Sequence, residues 1–139
     1  LIIDEVPRKT RAPTSSLHFQ MRYSLPLFVG TPSDLVDMSP KQRLKVMAPH
    51  LRYRVIKEDS SLQITNQSTV HARISQLSAS STAKSNRRVM ISEGLLGYVL
   101  PNSTRRWPLT KEQLTALTQP DTTLRFIQEH QELSIAAEE

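Results

Sequence analysis

Four histidines, thirteen carboxylates and eighteen basic side chains carry most of the chemistry open to this 139-residue chain. His18, His50, His71 and His130 are scattered, and none shares metal-ligand spacing with another. The acidic doublets Asp4-Glu5 and Glu58-Asp59 place adjacent carboxylates on opposite faces of a strand, which is unsuited to paired acid–base work. With no cysteine there is no thiolate nucleophile, thiolate zinc site or disulfide. Three glycines, Gly30, Gly94 and Gly97, cannot build a phosphate-cradling loop. The expectation is a protein with no catalytic residues, no metal and no cofactor.

Two basic pairs, Arg87-Arg88 and Arg105-Arg106, have the charge to touch phosphate. Nucleic-acid binding couples such charge to stacking aromatics or a recognition helix, and only Trp107 adjoins either pair. They read as solvated strand ends, and nucleic acid is not expected as a partner. Asn66-Gln67-Ser68 and Asn102-Ser103-Thr104 match the glycosylation acceptor pattern, a triplet common by chance. A net charge of +5, with arginine twice as frequent as lysine, favours acidic or carboxylate-bearing partners without choosing among them.

The elements that must position these groups are short apolar alternations separated by polar turns, the pattern of an all-β sandwich. Residues 1–6 form a first strand closed by Pro7. A basic, proline-containing loop follows over residues 8–16. Residues 17–25 are the clearest strand, with Leu17, Phe19, Met21, Tyr23 and Leu25 on one face and His18, Gln20, Arg22 and Ser24 on the other. Pro26 ends that strand or confines it to an edge.

Residues 31–45 carry turn chemistry, Gly30-Thr31-Pro32-Ser33-Asp34 and Met38-Ser39-Pro40-Lys41, and read as an interdomain linker. Residues 46–139 then form a domain with strands expected at 51–56, 62–66, 70–77, 88–91, 97–100, 123–129 and 132–137. Seven short strands at this spacing suit an immunoglobulin-like sandwich. Residues 109–117 have weak helical spacing, and the Ser-rich stretch 78–86 reads as a solvated turn. No stretch approaches the roughly 18 apolar residues needed to span a membrane as a helix.

Two blocks carry a family resemblance. Met21-Arg22-Tyr23-Ser24-Leu25-Pro26-Leu27-Phe28-Val29 resembles the last strand of the first domain of periplasmic pilus-assembly chaperones, in the archaic branch that serves spore-coat-protein-U-like pilins. The stretch from Gly94 to Leu109, with Leu-Gly-Tyr-Val-Leu-Pro-Asn-Ser-Thr-Arg-Arg-Trp-Pro at its centre, is similar to that branch's second-domain signature. Residues 62–66 followed by His71-Ala72-Arg73 fit its earlier strands.

The resemblance implies two immunoglobulin-like domains: a complete one at residues 46–139 and, at residues 1–30, the last two strands of another. Its earlier strands would precede Leu1, so a partial chain is expected. Implied too is donor-strand complementation in the periplasm. The chaperone lends a strand to a pilin subunit that lacks one, until an outer-membrane usher replaces it with the next subunit. Leu17, Phe19, Met21 and Tyr23 would form the donor strand, and Arg22 would anchor the subunit's terminal carboxylate through its planar fork. Exposed strand edges would also permit self-association. The alternatives are an immunoglobulin-like structural or adhesive interaction module without chaperone activity, and a basic nucleic-acid-binding β-domain.

Overall fold

The computed structural model describes residues 2–4, 22–25, 27, 38–81 and 88–138. The chain divides into two compact units, Leu1–Pro32 and Ser33–Glu139. In the first, β1 (Ile2–Asp4) pairs antiparallel with β2 (Arg22–Ser24), setting Ile3 opposite Tyr23 and Asp4 opposite Arg22.

The second unit is strand-dominated, all-β as expected, with two short helices. Its elements run α1 (Pro40–Met47), a 3-10 turn (Ala48–His50), β3 (Leu51–Ile56), β4 (Ser61–Asn66), β5 (Ala72–Ser81), β6 (Arg88–Met90), β7 (Leu95–Val99), β8 (Ser103–Pro108), α2 (Lys111–Leu117), β9 (Thr122–Gln128) and β10 (Gln131–Ala137). They form one curled mixed sheet in the order β6-β5-β9-β10-β3-β4-β8, with β7 also on β5.

Two features let the sheet curl. Residues 131–135 of β10 run antiparallel to β9, whereas Ala136 and Ala137 pair parallel with Arg52 and Tyr53 of β3. One strand thus serves both halves of the sheet. On β5 a bulge after Ser75 puts Gln76 at φ 49°, and its amide donates to the Gly94 carbonyl at 2.9 Å. The Leu77 carbonyl accepts from the amides of Ile91 and Ser92. The bulge splits one edge of β5 between β6 and β7.

The curl encloses a core made by strand alternation. Leu62 and Ile64 of β4, Ile74 and Leu77 of β5, and Leu124 and Phe126 of β9 are fully buried, with Met47 from α1. Burying a side chain as large as Phe126 contributes about 1.5–3 kcal/mol.

Both helices begin with the same device. Ser39 caps α1 and Thr110 caps α2; each accepts from the amide three residues on, while Gln42 and Gln113 reach back to the cap amide. Gln113 also donates to the carbonyls of Met90 and Ile91, pinning α2 to the end of β6. Residues 40–47, where turn chemistry was expected, form a helix: the capping box and the proline at the first helical position outweigh the turn residues before them.

Two further expectations change. Ser78 and Ala79, expected in a solvated turn, lie within β5 at 1% and 2% exposure, because the bulge lets the strand continue to Ser81. Ser103–Pro108, not expected as a strand, forms β8 in full register with β4. Asn66 is fully buried. Its amide donates to the carbonyls of Val70 (2.8 Å) and Val99 (3.1 Å), and its carbonyl accepts from the amide and hydroxyl of Ser68. The side chain ties the end of β4 and the following loop to β7.

Asn66→Ala leaves several buried backbone groups unpaired, at about 1–3 kcal/mol for each group left unsatisfied. Urea unfolding should show a midpoint lowered by a loss of about 3 kcal/mol, with the slope unchanged. An unchanged midpoint would mean that Asn66 holds nothing together.

Candidate functional site

The expected donor strand begins outside the described residues: Leu17, Phe19 and Met21 belong to none of the described segments. Of the assigned site residues, Arg22 and Tyr23 fall in β2. The register sets Arg22 across from Asp4, and among the described residues β2 pairs with β1 alone. A strand carries hydrogen-bonding groups along two edges, and among the described residues one edge of β2 is paired. Just past it, Leu25 and Leu27 are 50% and 67% exposed.

In the second unit, the block containing Gly97 and Trp107 makes the seam of the curled sheet. Arg105 and Trp107 lie opposite Ile64 and Leu62 in the β4–β8 register, on the inward-facing side of β8. The Arg105 guanidinium sits 5.5 Å from the Trp107 ring centroid, a cation–π geometry, and donates to the Tyr98 carbonyl at 3.1 Å. Gly97 beneath them has φ 153°, and a Cβ there would lie 3.3 Å from Arg105 Nη1 and 3.4 Å from the Trp107 ring. The Arg105-Arg106 pair thus splits. Arg105 closes the seam, while Arg106 points outward to Gln63 (2.9 Å) and Asp59 (3.7 Å).

The other basic pair contributes Arg88, which donates to Ser78 Oγ at 2.8 Å and to Glu132 at 2.7 Å. Arg125 reaches the second Glu132 oxygen at 3.2 Å, so one carboxylate bridges β6 and β9 across β5. The Arg88 hydrogen bond, helped by the charge of both arginines, holds the Glu132 carboxyl below its usual range. Burial lowers the His71 pKa, with Arg43 adding to the effect and Glu129 opposing it. The His71 ring is tilted against that of Tyr98, 6.1 Å between centroids.

No family model matches the chain, and comparison with curated proteins gives no match. The chemistry must be judged on geometry. Among the described residues no three of His, Asp and Glu gather where a metal could sit. What the sites offer instead is strand edges, apolar side chains and guanidinium groups. Sequence reasoning missed the seam residues because Ser103, Arg105 and Trp107 share a face with one apolar member among them, so no hydrophobic alternation marks the strand.

Because the folded-state pKa of Glu132 is depressed, its contribution to stability is present above the unfolded-state value and lost as pH falls through the folded one. Comparing urea midpoints of the wild type and Glu132→Gln between neutral and acidic pH should show a gap at neutrality that closes in acid. Added salt should narrow the gap as well. A gap independent of pH would assign Glu132 a purely steric role.

Proposed function

We propose that the protein acts in the periplasm as a non-enzymatic chaperone of pilus subunits, with immunoglobulin-like architecture, capping an incomplete subunit by lending it a strand before handover to an outer-membrane usher. The observation that carries the reading is the sequence alternation of Leu17, Phe19, Met21, Tyr23 and Leu25, which leads into β2, a strand that pairs on one side among the described residues. An incomplete sandwich exposes a groove that wants main-chain partners and apolar knobs at every second residue. A strand of this pattern supplies both.

The family resemblance of the two sequence blocks supports the same reading, as does the two-sided use of β10, which lets one sheet fold over itself as paired sandwich layers do. A three-residue pair such as β1–β2 is also too small to be stable by itself. Strand exchange with a subunit would extend it. In the sequence alternation Arg22 falls among the polar residues, and a guanidinium can hold a terminal carboxylate in two parallel hydrogen bonds.

Phe19→Asp should abolish capture of a groove-bearing pilin on co-expression, a loss of at least about a hundredfold, because a carboxylate would enter an apolar groove. Circular dichroism of the same variant should retain the β signal of the Ser33–Glu139 unit. Normal capture by Phe19→Asp would reject strand donation and favour an interaction module of another kind. Arg22→Ala should weaken binding of a subunit with a free terminal carboxylate more than one with an amidated terminus; equal losses would remove Arg22 from the anchoring role.

A further inference from the structure

Among the described residues, no strand pairs with the β3-facing edge of the front half of β10. Gln128 and Gln131 close the β9–β10 hairpin around Glu129 and His130, both at positive φ, so the main-chain groups of Gln131, Leu133 and Ile135 face β9. Those of Glu132 and Ser134 face the other way. The Glu138 amide donates to the Tyr53 carbonyl at 2.8 Å, which gives the same parity: even-numbered residues of β10 address β3. Yet β3 pairs with β10 from Ala136 onward; before Leu51 the chain turns away into the 3-10 turn and α1.

The departure opens a cleft of about 360 Å³ between α1 and β10. Leu44, Ala48, Pro49 and Leu133 give it apolar walls, and Gln131 contributes an amide. Lys41 and Lys45, one helical turn apart, complete the lining from α1. Lys41 is placed unfavourably for the helix alone, whereas Lys45 stands in the last turn, where the dipole favours a cation. Like charges four residues apart repel, Lys41 stands in the first turn where the helix dipole disfavours cations, and that turn holds no acid. Neither lysine has an ion pair among the described residues. The carboxylate nearest in sequence to Leu133, that of Glu132, is held by Arg88 and Arg125.

We infer that this cleft is a docking site for a short extended peptide segment of a partner protein, one apolar side chain flanked by carboxylates. Each part of that chemistry has its complement. The apolar side chain enters between Leu44 and Leu133, the carboxylates meet Lys41 and Lys45, and the peptide backbone pairs with the Glu132 and Ser134 edge. The site is built from the Ser33–Glu139 unit and is independent of strand donation by residues 17–23.

The test uses the full chain, isotopically labelled, titrated with the capped peptide Asp-Leu-Asp-Val-Asp and its counterpart Lys-Leu-Lys-Val-Lys. The acidic peptide should shift amide resonances of residues 41–49 and 131–134, and the lysine peptide should not. Lys41→Glu with Lys45→Glu should weaken binding roughly tenfold or more, whereas arginine at both positions retains it. N-methylation of alternate peptide amides should weaken binding as well, which side-chain attraction alone would not produce. Shifts centred elsewhere, such as the cleft between α2 and β5, equal binding of the lysine peptide, or no binding at millimolar peptide would each overturn the assignment.

Discussion

The change of partner along β10 is the constraint on which the second unit depends. A strand has two edges, and β10 gives one to β9 along its first five residues and the other to β3 at its last two. Only this arrangement joins the two halves of the sheet while turning their apolar faces toward each other, so that Phe126, Ile64 and Ile74 meet in one core. Were β10 to pair with β9 alone, the β3-β4-β8 half would lose its main-chain connection to the rest. The parallel segment is short, which makes its neighbours matter: the Glu138 amide extends it by one hydrogen bond, and Glu138 also pairs with Arg54 at 3.1 Å.

At the opposite margin the sheet is closed by side chains. β7 and β8 follow each other through a tight turn, yet they join different partners, β5 and β4. Asn66 at the end of β4 reaches the Val99 carbonyl, and Arg105 with Trp107 settles over Gly97. The Asn66 contacts differ in kind from the exposed ion pairs of Arg54, Arg106 and Arg125. Exposed pairs are worth 1 kcal/mol or less each, on the order of thermal energy, and are screened by salt. A buried amide with every partner in place costs far more to lose than it gains when made, and such groups select one arrangement of a core over others.

The β class and most strands were legible in the sequence because their alternation is strict: Leu62, Ile64 and Asn66, or Leu124, Phe126 and Gln128, mark one face unambiguously. What escaped has identifiable causes. β8 carries Thr104, Arg105 and Arg106 in succession, so hydrophobicity does not alternate even though the side chains do, and the one aromatic sits near its end. The serines of β5 disguise a buried strand as a turn, since Ser78 is covered by Arg88 and not by an apolar neighbour. α1 spans eight residues, too few for periodicity to emerge, and announces itself only through Ser39-Pro40-Lys41-Gln42. The positive φ of Glu129 and His130 had no glycine or asparagine to signal it. Of the expected site, Arg22 and Tyr23 were correctly read as strand residues, and Leu17, Phe19 and Met21 lie outside the described residues.

The unused edges of the molecule are not alike, and the difference bears on which of them meet partners. Leu109 donates to Ser60, so in β8 the odd-numbered residues address β4 and the even-numbered ones face away. On that outward side Pro108 has no amide to offer, and Arg106 projects a charged side chain beside it. Proline and charge on an edge are the usual means by which β-proteins discourage pairing with a stranger. The front of β10 lacks the proline, so Glu132 and Ser134 keep their amides, and the Glu132 charge is taken up by Arg88 and Arg125. β2 likewise has no proline between Arg22 and Ser24. Among the described residues the β8 edge thus carries a proline and an outward arginine, whereas neither β2 nor the front of β10 contains a proline.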